Sequence, residues 1–214
     1  MEDIIWGSRR DAGKVEPPSV HSGSKNQPVT IQSEPSFLEI VDNKIYFYAE
    51  IERDKVLQLV KHIRNLNVQF LNQQKSFGLK EPIPIYILIN SYGGSIFAGL
   101  SVMDEIINSD LPVITVVDGC CASAATLFSV VGKRRLMKAH SYMLIHQLSS
   151  CFWGKHAEFK DEMENQERLM KMIKDTYKQY TKVPMKKLDE LLKHDLWFDS
   201  ETCLQYGLVD EIMK

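Results

Sequence analysis

The chain has 214 residues, of which 44% are hydrophobic and 25% are charged, so it is long enough to bury a core without disulfide or metal staples. Its 26 basic and 28 acidic residues give a formal net charge of −2, which argues against a nucleic-acid-binding protein that relies on excess Lys and Arg. No run approaches the roughly 18 apolar residues that a membrane span needs. The chain starts with acidic residues, Glu2 and Asp3, where a signal peptide is basic, and no apolar core follows. We therefore expect a protein that is not secreted and that binds neither nucleic acid nor membrane.

The cysteines and histidines are not spaced for metal binding. Cys120 and Cys121 are adjacent, Cys151 and Cys203 are isolated, and the six histidines form no HExxH pattern. We expect reduced thiols and neither a metal site nor a resident cofactor.

The first part of the chain differs in composition from the rest. Residues 1–36 are poor in large apolar side chains and carry four prolines, Pro17, Pro18, Pro28 and Pro35. Such a composition is typical of a segment outside the core. We predict a flexible leader over residues 1–36 and one globular domain over residues 37–214.

The globular part begins with a predicted short strand around Ile45 and Phe47, followed by a helix. Three later segments are nearly continuously apolar, as is typical of strands covered on both faces; they span residues 83–89, 113–117 and 142–145. The second is predicted to lead through a small-residue turn, residues 119–123, into a helix over residues 124–131. Alternating strands and helices predict an α/β domain with a largely parallel sheet.

Three features that could take part in catalysis or binding follow the three apolar strands. They are Gly93-Gly94, Ser123 and His146. Because ligands and chemistry in parallel sheets lie beyond the carboxyl ends of the strands, we expect these residues at one edge.

A long amphipathic helix is predicted from His156 to Lys182, before Pro184. Its apolar residues fall roughly on one face: Phe159, Met163, Met170, Ile173 and Tyr177. The pattern fits either a solvated surface helix or a contact between subunits.

Each candidate catalytic residue also has a structural interpretation. Ser123 could cap the helix that it precedes, or it could be a nucleophile at a strand-to-helix turn, although no GxSxG motif surrounds it. His146 could be a hydrogen-bonded structural residue, and Asp195 could be a cap. Gly93-Gly94 has no nucleotide-binding pattern around it, but its N–H groups could meet an oxyanion. Together, a nucleophile, a base, an acid and an amide-rich turn are what acyl transfer requires.

Four motifs make the sequence similar to the proteolytic subunit of the Clp protease (the ClpP family). They are residues 90–95, 119–124, 143–147 and 206–210, and they occur in the family's order. The similarity extends from about Asn43 to the C-terminus. It implies a ClpP/crotonase-type fold of repeated ββα units and a serine endopeptidase.

The resemblance also implies residue roles. Ser123 corresponds to the nucleophile, His146 to the general base and Asp195 to the acid that orients the histidine. The backbone N–H groups of Gly94 and Ala124 correspond to the oxyanion hole.

The family's assembly and partners are implied in the same way. Two stacked seven-membered rings, a tetradecamer, enclose the active sites, and the helix from about Ala157 to Tyr180 matches the "handle" helix between the rings. Unfolded proteins are the substrates, and an AAA+ ATPase that uses ATP delivers them, so the subunit needs no cofactor. The compartment implied is the cytoplasm, a plastid stroma, a mitochondrial matrix or the cytoplasm of a virus-infected cell.

The sequence departs from the family in four places. Residues 1–36 differ from the family's N-terminal segment, which contacts the ATPase, and this bears on ATPase docking. Tyr92 replaces a proline, residues 147–154 are bulkier than the family's glycine-rich strand, and Lys193-His194 replaces a charged ring-contact pair.

Four alternatives remain open from the sequence. They are a crotonase-type acyl-CoA enzyme, a capsid-maturation protease of the same fold, a catalytically silent ring subunit, and a protease that uses Cys120 or Cys121 as its nucleophile.

Overall fold

The computed structural model describes residues 5–6 and 37–213. Apart from Ile5–Trp6, the predicted leader lies outside the described residues. The strands are β1 (Ile5–Trp6), β2 (Leu38–Val41), β3 (Lys44–Phe47), β4 (Ile85–Ser91), β5 (Gly94–Ser95), β6 (Val113–Ala122), β7 (Arg134–Lys138), β8 (Tyr142–Leu144), β9 (Trp197–Phe198) and β10 (Glu211–Met213). The helices are α1 (Arg53–Phe77), α2 (Ile96–Ile107), α3 (Ala124–Ser129), α4 (His156–Tyr180), α5 (Met185–Leu191) and α6 (Ser200–Gln205).

The main sheet has the predicted, largely parallel arrangement. Its strand order is β10-β7-β6-β4-β3-β2, and every neighbouring pair except β2 and β3 is parallel. Strand β8 pairs in parallel with the second half of β6, and β9 pairs antiparallel with β8. The order β6-β8-β9 brings together chain segments that are far apart in sequence.

The predicted turn over residues 119–123 is wrong, because β6 continues to Ala122. Gly119 has a φ of 95°, and its N–H donates a hydrogen bond to Ser141 Oγ at 2.8 Å. Before Gly119 β6 pairs with β7, and after it β6 pairs with β8. The small residues of this segment therefore serve a change of strand partner and not a turn.

Close packing between α2 and α3 fixes the start of α3. A Cβ on Gly99 of α2 would lie 3.2 Å from the carbonyl oxygen of Ala124, so glycine lets the two helices approach. All six residues of α3 are buried, which holds this short helix in the core. Of the six described helices, none has both the length and the apolar character that crossing a bilayer requires.

Helix α4 lies within one residue of the predicted bounds of the handle, but its apolar face is only partly covered. Ile173 and Tyr177 near its C-terminal end are fully buried. Phe159 and Met163, in its first half, are 49% and 60% exposed. The C-terminal part therefore anchors the helix, while the N-terminal part presents apolar side chains that the described residues leave exposed.

Candidate active site

Ser123 lies at the turn between β6 and α3 in a strained backbone conformation. Its φ of 58° and ψ of −130° are unfavourable for a residue with a side chain. Its N–H donates a hydrogen bond of 2.9 Å to the carbonyl of Leu144 in β8. Its side chain does not cap α3, so the interpretation of Ser123 as a helix cap is wrong.

His146 and Asp195 are brought together by the register between β8 and β9. Leu144 lies opposite Trp197, and continuing this antiparallel register by two residues places His146 opposite Asp195. The two side chains are in contact, with His146 Nδ1 2.8 Å from Asp195 Oδ1. Because β8 also lies beside β6, the same strand brings this pair to the turn that carries Ser123.

The environment favours a neutral imidazole at His146. The residue is 6% exposed, and burial, which disfavours the imidazolium, lowers its pKa below the usual value. The Asp195 carboxylate acts in the opposite direction and offsets part of this effect. A neutral imidazole with a carboxylate on Nδ1 can accept a proton at Nε2.

Gly93 and Gly94 pass directly against the Ser123 turn. A Cβ on Gly93 would lie 2.6 Å from the Cβ of Ser123, and the φ of Gly93 is 103°. Its N–H donates to Ser91 Oγ at 3.2 Å. On one side of this strand, Ile51 bonds to Gly93 and Ser95, and on the other the backbone of Trp6 in β1 pairs with Gly94. Only glycine fits both the conformation and the space at Gly93.

Sequence reasoning missed several residues around the site. Thr126 bonds the carbonyl of Ser123, and Tyr177 contacts Thr126. Tyr92 and Trp197, whose ring centroids are 6.2 Å apart in an edge-to-face arrangement, join the glycine loop to the Asp195 loop. The unusual residue Tyr92, noted in the sequence as a replacement for proline, could have indicated the contact between Tyr92 and Trp197. The small residues around Thr126 gave no indication of the contact between Thr126 and Tyr177.

The two neighbouring cysteines are poor nucleophiles. Burial raises the pKa of both Cys120 and Cys121, and the thiolate is the reactive form of a cysteine. Cys121 is fully buried, and Cys120 Sγ donates to Asn90 Oδ1 at 3.2 Å. This chemistry favours the hydroxyl of Ser123 over either thiol.

Comparison with known proteins identifies the family. The sequence profile of the Clp protease family matches residues 40–214. The chain belongs to the Clp protease family. Its relatives include the ATP-dependent Clp protease proteolytic subunit 1 of Chlamydia caviae, which is 28% identical over 180 residues, covering 82% of this chain and 89% of that protein. The ATP-dependent Clp protease proteolytic subunit 3 of Rhodococcus jostii is 30% identical over 132 residues, covering 61% of this chain and 65% of that protein.

A solved Clp structure supports the fold. The ClpP1 N165D mutant from Listeria monocytogenes superposes with a TM-score of 0.66 at 23% identity, covering 78% of this chain and 88% of that chain. The predicted ClpP/crotonase-type fold is thereby confirmed. Membership of the Clp family makes the chain a serine endopeptidase subunit, and neither the acyl-CoA enzyme nor the capsid-maturation protease is favoured.

A substitution at Gly93 tests the close approach to Ser123. We expect Gly93→Ala to reduce kcat/KM for a fluorogenic peptide by about 100-fold, the scale of losing one oxyanion donor, because the new methyl group would displace Ser123. Gly78→Ala is the matched control, since Gly78 also has a positive φ but a Cβ added there would meet no atom within 4 Å. Wild-type activity in Gly93→Ala would contradict the packing described.

Proposed function

We propose that Ser123, His146 and Asp195 form the catalytic triad of this endopeptidase and that the N–H groups of Gly94 and Ala124 form its oxyanion hole. The observation that carries the proposal is the contact of 2.8 Å between His146 Nδ1 and Asp195 Oδ1. His146 lies two residues after β8, which pairs with β6 beside the Ser123 turn, and Asp195 lies two residues before β9, which pairs with β8. The strained backbone of Ser123 is of the kind found at nucleophiles on strand-to-helix turns.

In the first step, Ser123 Oγ attacks the carbonyl carbon of the scissile peptide, and His146 Nε2 takes the hydroxyl proton. The Asp195 carboxylate holds Nδ1–H and stabilises the imidazolium that forms. His146 then delivers the proton to the departing amine, leaving an acyl-enzyme. Water attacks this ester with His146 again as the base, and Ser123 recovers its proton as the acid product leaves.

Two backbone donors stabilise the charge that develops on the carbonyl oxygen. Ala124 is the first residue of α3, so its N–H has no acceptor within the helix. Gly94 directly follows Gly93, which packs closely against Ser123. Each such donor contributes about 3 kcal/mol to transition-state stabilisation.

The proposal extends to assembly and partners. Two stacked heptameric rings would bury the apolar first half of α4, where Phe159 and Met163 are exposed and Phe152 packs edge-to-face on Phe159 at 5.1 Å. Enclosed sites would restrict substrates to unfolded chains delivered by an AAA+ ATPase in the cytoplasm. The subunit itself would need no cofactor, because side chains and backbone amides supply every step.

The nucleophile can be tested by covalent labelling. A fluorophosphonate probe should add one label per subunit, and peptide mapping should place it on Ser123. Ser123→Ala and His146→Ala should both abolish labelling, because one removes the attacking oxygen and the other its base. Ser129→Ala, which removes another buried serine hydroxyl, is the control and should still be labelled. A label that survives either of the first two changes would disprove the roles.

The pH profile tests His146 and Asp195 together. Because burial lowers the pKa of His146, kcat/KM should rise with pH through an inflection below 6.5 and stay high above it. Asp195→Asn removes the group that raises this pKa, so the inflection should move lower, and the rate should fall by roughly 10⁴ because the imidazole tautomer is no longer fixed. Asp189→Asn, which removes a surface carboxylate paired with Lys174, should change neither. An upward shift in Asp195→Asn would refute the assignment.

Assembly can be tested through α4. Wild-type protein should have the mass of about fourteen 24.6 kDa subunits by light scattering after size exclusion. Met163→Asp would place a charge in the apolar contact between rings and should give particles of about half that mass. Met163→Leu keeps the side chain apolar and should assemble like the wild type. A wild-type monomer, or an unchanged mass in Met163→Asp, would contradict the ring contact proposed for α4.

A further inference from the structure

A chain of buried hydrogen bonds connects helix α4 to the backbone of Ser123. Thr126 Oγ1 donates to the carbonyl oxygen of Ser123 at 2.6 Å, and Tyr177 Oη lies 2.5 Å from Thr126 Oγ1. Because the single hydroxyl hydrogen of Thr126 is used on Ser123, Tyr177 must be the donor to Thr126. Ser123 is 1% exposed, and the other two residues are fully buried, so water does not compete for these bonds.

The carbonyl that receives these bonds belongs to the same rigid unit as a proposed oxyanion donor. The peptide bond between Ser123 and Ala124 is planar and trans, so the Ser123 C=O and the Ala124 N–H point in opposite directions along one plane. The Thr126 N–H also donates to this carbonyl, at 3.0 Å. Fixing the direction of the carbonyl therefore fixes the direction of the Ala124 N–H.

The backbone at this point needs such support. The φ of 58° at Ser123 is unfavourable for a residue with a Cβ, and conformations of this kind persist only when surrounding contacts over-determine them. Burial raises the pKa of Tyr177, so its hydroxyl keeps its proton and remains a donor across the neutral pH range.

We propose that Thr126 and Tyr177 are positioning residues for the oxyanion hole: Tyr177, from the long helix α4, orients Thr126, which in turn holds the Ser123–Ala124 peptide unit with its N–H toward the reacting carbonyl. This inference rests on the proposed function, because it requires the Ala124 N–H to be an oxyanion donor. It adds a residue of α4, 54 positions along the chain from Ser123, to the machinery that stabilises the transition state.

Three variants and a control separate positioning from general structural support. Tyr177→Phe removes only the second hydroxyl, Thr126→Val removes the bond to Ser123, and Thr126→Ser keeps it. The control is Thr176→Val, which removes a neighbouring buried hydroxyl of α4 that bonds Met172 O within its own helix at 3.0 Å. Each variant is measured as the assembled full-length protein, for kcat and KM on a fluorogenic peptide and for affinity toward a peptide boronate, whose tetrahedral adduct needs the oxyanion hole.

An oxyanion donor that is tilted but not removed should cost no more than the low end of the 10²–10³-fold range typical of a missing donor. We expect Tyr177→Phe to lower kcat about tenfold and Thr126→Val about 100-fold, with KM changed less than about twofold and boronate affinity falling in parallel. Thr126→Ser should retain most of the activity, and Thr176→Val should match the wild type.

Two results would overturn the inference while leaving the proposed triad intact. One is unchanged kcat and boronate affinity in both Tyr177→Phe and Thr126→Val. The other is an equal loss in Thr176→Val, which would mean that any lost buried hydroxyl near the site has the same effect. By contrast, failure of the wild-type protein to be labelled at Ser123 would overturn the proposed function itself.

Discussion

The active site depends on one short strand, β8, held between two others. On one side the carbonyl of Leu144 accepts the N–H of Ser123, which ties β8 to the Ser123 turn. On the other side the antiparallel register with β9 sets His146 opposite Asp195. A shift of one residue in either pairing would turn the side chains to the opposite face and separate the three groups. The three residues of β8 thus determine whether the proposed triad can form.

The three side chains of the proposed triad around β8 differ in how deeply they are buried. Ser123 and His146 are almost fully buried, whereas the Asp195 side chain is 65% exposed. Burial keeps the imidazole neutral and ready to accept a proton, and it strengthens the hydrogen bonds that reach the Ser123 turn. Helix α4 also has a buried and an exposed part, because its C-terminal end packs in the core and its N-terminal half carries exposed apolar side chains.

The sequence predicted those features that depend on local pattern. Apolar strands at β4, β6 and β8 identified a parallel sheet, and the rule that chemistry lies at strand ends selected Ser123 and His146 before any resemblance was used. Asp195 was a candidate from the residues alone, with a cap as the alternative, but its role as the orienting acid came from the resemblance, because the two-residue strand β9 has no recognisable periodicity. The segment before Ser123 has the composition of a turn, with Gly119 and its small neighbours, whereas pairing with β8 extends the strand. The contact between Thr126 and Tyr177 was beyond prediction, since 51 residues separate two ordinary side chains.

The most direct test is a crystal structure of the assembled protein after reaction with a peptidyl phosphonate. The account predicts a covalent bond between phosphorus and Ser123 Oγ, with one phosphonyl oxygen about 2.7–3.1 Å from the backbone nitrogens of both Gly94 and Ala124. It also predicts that His146 retains its contact with Asp195. A phosphonyl oxygen directed into solvent, or a phosphonate bound to another residue, would contradict the arrangement on which the mechanism rests.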